Sequence, residues 1–140
     1  IQTDVKRKTT AAFELATSVL FLSGIQHYAE SPDGMKHIPD EVQNLLRTLP
    51  NHWEEVRFID GYPGKFDIIA RKSGEHWYIA AINGEDKEKK LQLDLSFLEG
   101  KGGKLFTEGQ DAFPFNIQSI TASNAVPISL KNNGGFVMVF

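Results

Sequence analysis

The feature that most constrains the fold is a series of short strand-like segments, separated by turn residues, that runs from Trp53 to the end of the chain. Segments 65–72 and 76–83 are joined by Lys72-Ser73-Gly74-Glu75, a favourable hairpin turn. Further segments follow at 91–97, 104–108, 115–122, 126–130 and 136–140. Seven or eight short strands at this spacing predict a mainly β protein built as an antiparallel β-sandwich.

Two segments lack the alternation of apolar and polar residues that marks a half-exposed strand. In 76–83, Trp77, Ile79 and Ala81 point to one face, and Tyr78, Ala80 and Ile82 to the other. Segment 136–140 is likewise apolar on both faces. Both should be central strands covered on each side, by the second sheet on one face and by the helical segment or a neighbouring domain on the other. In segment 91–97 apolar and polar residues alternate strictly, so one face of this strand should be buried and the other exposed to solvent.

The first fifty residues are predicted to be helical. One helix should run from about Ala11 to Tyr28, with Thr9 or Thr10 as N-cap. A second should run from about Pro39 to Thr48, where the apolar residues follow helical spacing. We therefore divide the chain into a helical segment at 1–50 and a C-terminal antiparallel β-sandwich domain at 51–140.

The helix from Ala11 to Tyr28 has almost no polar face, and a helix that is apolar all round is normally buried all round. A small sandwich can cover only one side of it. We therefore expect one of two outcomes. Either the chain self-associates through this helix, or the helix packs deeply against its own sheet and the second helix. Phe13, Leu20 and Phe21 are the residues on which this expectation depends.

Composition excludes several classes of partner and site. The net charge is −3, and the only short basic clusters, at 6–8 and 87–90, are typical of solvated turns, so no nucleic-acid partner is predicted. No stretch of 18 apolar residues exists, which predicts no membrane span. The absence of Cys excludes disulfides, thiol nucleophiles and thiolate metal sites.

No constellation of residues predicts a catalytic centre. The adjacent Glu54 and Glu55 should point to opposite faces of a strand, which suits a sheet surface better than an acid–base pair. The four histidines form no HxH or HxxxH pair, and no GxSxG motif or phosphate-binding glycine loop is present. We assign no catalytic residue, no metal ligand and no cofactor-binding residue.

Aromatic residues leave a carbohydrate-binding β-sandwich module open as an alternative function. Trp53, Tyr62, Trp77 and Tyr78 could stack on sugar rings if they were exposed. Trp77 and Tyr78 lie in a strand that is apolar on both faces and are better explained as core or interface residues. Trp53 and Tyr62 flank turns and remain the candidate sugar contacts.

Two blocks of the sequence resemble the C-terminal region of glycoside hydrolase family 97, which comprises bacterial α-glucosidases and α-galactosidases. Residues 9–32, TTAAFELATSVLFLSGIQHYAESP, resemble the last helix of the catalytic (β/α)₈ barrel and the loop after it. Residues 49–98, with LPNHWEEVRFIDGYPGKFDIIARK, EHWYIAAIN and LDLSFL, resemble the start of the C-terminal sandwich.

The resemblance implies a non-catalytic C-terminal portion of a bacterial glycoside hydrolase that supports the parent's catalytic barrel. The start at Ile1 without Met is what we expect of such a fragment. The family is calcium-dependent, but its catalytic carboxylates belong to barrel strands, and no position here matches them. The resemblance therefore implies no cofactor in this chain and no activity of the chain alone. It also implies a periplasmic or cell-envelope location.

Overall fold

A computed structural model describes residues 6–140. Three helices come first: α1 (Ala11–Leu20), α2 (Pro32–Met35) and α3 (Asp40–Thr48). Eight strands follow: β1 (Glu55–Tyr62), β2 (Phe66–Ser73), β3 (His76–Asn83), β4 (Lys89–Leu93), β5 (Gly102–Glu108), β6 (Phe115–Thr121), β7 (Val126–Leu130) and β8 (Gly135–Val139). A single 3₁₀ turn, Ser96–Leu98, lies between β4 and β5.

The strands form two antiparallel sheets. The larger sheet has six strands in the order β1-β2-β3-β8-β5-β6, and β4 pairs with β7 in a smaller one. The prediction of a mainly β chain with about eight antiparallel strands after a helical segment is confirmed. The structure adds a third, short helix, α2, which the sequence did not predict as a separate element.

The two central strands have the predicted two-sided burial. Trp77 and Ile79 of β3 belong to the core between the sheets, whereas Tyr78 and Ala80 belong to the core between the larger sheet and helices α1 and α3. Trp77 and Tyr78 are each only 6% exposed. Strand β8 also contributes to both cores, through Phe136 and Val137. The alternating direction of side chains along a strand explains how one strand supplies both cores.

The first helix is shorter than predicted. It ends at Leu20, because Phe21 adopts an extended conformation (φ −88°, ψ 131°), so the predicted extension to Tyr28 is wrong. The helix packs on β3, β8 and β5 of its own chain, which is the second of the two outcomes expected for it. Leu20 is buried and Phe13 half-buried, but Phe21 lies outside the helix and is exposed.

Long-range hydrogen bonds hold α1 on the sheet at both ends. At its start, the Thr10 hydroxyl donates to the Glu108 carboxylate (3.1 Å), which also accepts the Gly135 N–H (2.7 Å). At its end, the Arg71 guanidinium of β2 donates to the Leu20 carbonyl (3.0 Å). A cation at the C-terminus of a helix is favourable because the last carbonyls there have no partner within the helix.

Several other element boundaries also differ from the predictions by a few residues. The strand predicted over 91–97 ends at Leu93, because the Asp94 carboxylate accepts the Ser96 N–H (3.0 Å) and starts the 3₁₀ turn. The second predicted helix begins at Asp40, with Pro39 as its N-cap. The division of the chain at residue 50 stays a prediction.

Candidate functional surfaces

Trp53, one of the two candidate sugar contacts, lies just before β1 and is half-buried. Its ring packs edge-on against Tyr78, with centroids 5.4 Å apart and an interplanar angle of 74°. The Arg71 guanidinium lies 5.9 Å from the Trp53 ring centroid. Both contacts stabilise the end of the core that α1 covers, so Trp53 has a structural role in the fold.

Tyr62, the other candidate, lies at the end of β1 and is 60% exposed. The Lys65 ammonium lies 4.7 Å from its ring centroid. Together with Phe58, Pro63 and Ile82, Tyr62 lines a surface depression of about 660 Å³. Trp53 lies two residues before β1, and Tyr62 is the last residue of that eight-residue strand. At about 3.3 Å per residue, the two side chains are therefore more than about 20 Å apart. The structure does not bring them together into one stacking platform.

The acidic residues considered as candidates have structural partners. Glu54 accepts the N–H of Gly74 in the β2–β3 turn (3.1 Å), and Glu55 is paired with Arg57 (2.7 Å). Over residues 6–140, no group of three or more His, Asp or Glu side chains lies close enough to hold a metal ion. Arrangements of this kind suit a solvated sheet surface rather than a catalytic centre.

Hydrogen bonding lowers the pKa of several carboxyl groups. Donation by Lys89 lowers the pKa of Glu85, donation by Asn133 lowers that of Asp86, and donation by Ser96 lowers that of Asp94. A general acid in glycoside hydrolysis needs a carboxyl group with a raised pKa. These three groups are shifted in the opposite direction, which is the behaviour of surface turn residues.

The most distinctive surface is an uncovered part of the larger sheet beside α1. Phe58 of β1 is paired with Ile69 of β2, whose side chain packs on the helix-side core, so both point to the helix side of the sheet. Val56 is paired with Arg71 and points the same way. The helix α1 packs mainly on β3, β8 and β5, and the side chains of Val56 and Phe58 on β1 are more than half exposed. We call the helix-side surface formed by Val56, Phe58 and Ile69 the apolar shelf.

Large apolar side chains are also exposed in the segment that follows α1. Phe21, Leu22 and Ile25 are 62–74% exposed, and Phe58 of the apolar shelf is 67% exposed. The bond between Leu20 and Arg71 places the start of this segment against β2, next to the shelf. Soluble monomers rarely expose a large contiguous apolar patch, and such a patch usually marks an interface. Val56 and Phe58 were not among the residues predicted from sequence to form a functional surface.

Comparison with known families settles the family of the chain. The protein-family model described as "Glycosyl-hydrolase 97 C-terminal, oligomerisation" matches residues 52–140, which is more than half of the chain. The chain belongs to this family. It is thus a C-terminal, non-catalytic portion of a glycoside hydrolase, as the resemblance implied.

Relatives in two bacteria are similar over nearly the whole chain. A probable retaining alpha-galactosidase of Streptomyces bingchenggensis is 29% identical over 132 residues, covering 91% of this chain. A retaining alpha-galactosidase of Bacteroides thetaiotaomicron is 26% identical over 137 residues, covering 92%. In each case the match covers 20% of the relative, so the chain spans about a fifth of the length of these proteins.

Solved structures share the fold. A beta-arabinopyranosidase matches 97% of this chain with a TM-score of 0.88 and 33% identity, over 22% of its own chain. A glycoside hydrolase family 97 enzyme from Pseudoalteromonas sp. strain K8, in complex with acarbose, matches 96% with a TM-score of 0.81 and 23% identity, over 23% of its own chain. None of the helices among residues 6–140 has the length and hydropathy needed to cross a membrane.

Proposed function

We propose that this chain is the C-terminal support of a bacterial glycosidase of the α-galactosidase type, and that its apolar shelf docks against the parent's catalytic barrel. The observation that carries the proposal is the uncovered helix side of β1, where Val56 and Phe58 are more than half exposed. Relatives of which this chain spans about a fifth have ample further chain to cover that surface.

The dimensions of the apolar shelf fit one more helix. Strands β1 and β2 are each eight residues long and lie side by side at the edge of the sheet. Two strands are about 10 Å wide, which is the diameter of a helix with its side chains. A barrel helix could therefore lie on the shelf next to α1. In this proposal residues 1–50 form the end of the barrel and its link to the sandwich.

Phe58→Ser should leave the stability of the chain nearly unchanged but should destabilise the parent glycosidase. In the 140-residue chain Phe58 is already largely in water, so the change in the free energy of unfolding should stay within about 0.5 kcal/mol. In the parent, burial of the ring against the barrel would make the same change cost about 1.5–3 kcal/mol. Thermal unfolding of both proteins measures the difference.

Phe113→Ser is the matched control for this comparison. Phe113 is 74% exposed, but it lies in the β5–β6 turn, away from the apolar shelf. It should be tolerated in both proteins. If Phe58→Ser were equally harmless in chain and parent, the barrel would not cover the shelf and the proposed docking surface would be wrong.

The chain by itself should hydrolyse no glycoside. Two carboxyl groups flanking the scissile bond are required for this chemistry. Glu14 and Glu30 line one cleft of the described part of the chain, but both are exposed to solvent. Incubation with p-nitrophenyl α-galactoside and p-nitrophenyl α-glucoside, each with calcium, should release no more nitrophenol than an unrelated protein. Turnover that grew with the concentration of the purified chain would show that a catalytic site lies within it.

A further inference from the structure

The two edges of the larger sheet are protected to different degrees. At one edge, β1 carries Glu55, Arg57 and Asp60 and has an irregularity in its register between Phe58 and Asp60. Charges and bulges are the devices by which proteins stop an edge strand from pairing with another chain. Strand β1 therefore carries the usual protection against edge-to-edge pairing.

At the other edge, β6 has none of this protection. Its seven residues, Phe115–Thr121, have the sequence FNIQSIT, without a charge, a proline or a glycine. They pair with β5 in an unbroken register from Gly102↔Thr121 to Glu108↔Phe115. No other described strand pairs with the outer side of β6. A long, regular and uncharged edge of this kind is a template for one more strand.

The outward-facing backbone groups of β6 can be identified from its ends. Ala122 N–H donates to the Lys101 carbonyl (2.9 Å) and Gly109 N–H donates to the Pro114 carbonyl (3.1 Å). Antiparallel strands alternate between residues that bond to the neighbour and residues that face away. Asn116, Gln118 and Ile120 therefore bond to β5. The N–H and C=O groups of the remaining residues face outward: Phe115, Ile117, Ser119 and Thr121.

We propose that β6 pairs antiparallel with β6 of a second copy of this chain, across a twofold axis at Gln118, so that the two larger sheets become one. This inference goes beyond the barrel-supporting role and uses a different surface. It gives the oligomerisation named in the family description a location and a partner. An interface of this type is isologous, since the same strand is used by both copies.

The strand is complementary to itself in this register. With Gln118 opposite its own copy, Ile117 lies opposite Ser119 of the second copy, and Phe115 lies opposite Thr121. All outward-facing backbone groups of β6 are then paired, with two hydrogen bonds for each pair of residues. No like charges face each other, because β6 contains no charged residue. Phe115 and Ile117, which are half-buried in the single chain, would gain further cover.

Two substitutions test the pairing without disturbing the sheet within one chain. Gln118→Lys places two ammonium groups directly opposite each other at the twofold axis, while an exposed Lys is compatible with an edge strand. Ser119→Pro removes an N–H that faces outward and makes no bond to β5, and proline is accepted on edge strands. The matched controls are Gln92→Lys, at an exposed position of β4, and Ser119→Ala.

Sedimentation equilibrium of the 140-residue chain should give twice the monomer mass of 15.7 kDa for the unchanged chain and for both controls. Gln118→Lys and Ser119→Pro should reduce the mass to that of the monomer, with an unchanged circular dichroism spectrum. A monomeric unchanged chain would overturn the proposal, as would a dimer that both β6 variants leave intact. A dimer lost with the control Gln92→Lys but kept in both β6 variants would overturn the proposal and place the interface on the smaller sheet. None of these outcomes depends on whether the apolar shelf docks a barrel.

Discussion

Trp77→Ala should lower the free energy of unfolding of the chain by about 3–5 kcal/mol, the range found for large aromatic deletions in cores. Trp77 is 6% exposed and lies between the two sheets. Its ring packs edge-on against Phe97 with centroids 5.0 Å apart, and the Arg57 guanidinium lies 5.3 Å from its centroid. Alanine would leave a cavity that the smaller sheet cannot fill by small shifts, because interiors are close-packed.

Urea unfolding followed by circular dichroism measures this loss, and Phe113→Ala is the control. Phe113 is a large aromatic residue that is 74% exposed, so its truncation should change the free energy of unfolding by no more than about 0.5 kcal/mol. A loss below about 1 kcal/mol for Trp77→Ala would mean that Trp77 is not enclosed by the sandwich. The sugar-binding alternative would then regain support.

The burial of Trp77 in a strand that is covered on both faces was predictable from sequence for a simple physical reason. Side chains alternate across a strand, so a strand with large apolar residues at consecutive positions must be covered on both faces. His76–Asn83 and Gly135–Val139 meet this condition and are central in the larger sheet. The local pattern and the tertiary structure agree here because no other arrangement buries both faces of these strands.

The end of α1 was not predictable in the same way. Phe21 and Leu22 continue the apolar character of the helix, so neither periodicity nor propensity marks a stop at Leu20. The helix ends where the Arg71 guanidinium, 51 residues further along the chain, donates to the Leu20 carbonyl. A tertiary contact of this range leaves no trace in the local sequence, and Gly24 was the nearest local signal.

The candidate surfaces were only partly accessible to sequence reasoning. Phe58 and Ile59 are adjacent apolar residues at a break in the register of β1, which hides the simple alternation that Val56 and Phe58 would otherwise show. Tyr62 and Trp53 are placed more than 20 Å apart by the length of the strand between them. Their role as sugar contacts stays a prediction, since neither position by itself identifies a ligand.

Asn83→Asp should destabilise the chain by about 3–5 kcal/mol, the range for an uncompensated buried charge. Asn83 is fully buried at the end of β3. Its amide nitrogen donates to the carbonyls of Lys87 (2.8 Å) and Lys131 (3.0 Å), and its oxygen accepts the Glu85 N–H (3.1 Å). One side chain thereby joins the turn after β3 to the turn before β8. A carboxylate has no hydrogen to donate, so two carbonyl oxygens would face a negative charge.

The dependence of this loss on pH separates it from a simple packing defect. A carboxyl group that is disfavoured as an anion in the folded chain binds its proton more tightly there than in the unfolded chain, so stability should fall as pH rises. Acid should therefore restore part of the stability of Asn83→Asp, because protonation returns one donor. Asn124→Asp makes the same change at an exposed position and should have little effect at any pH. A loss for Asn83→Asp that was small, or that did not change with pH, would show that Asn83 does not hold the two turns together.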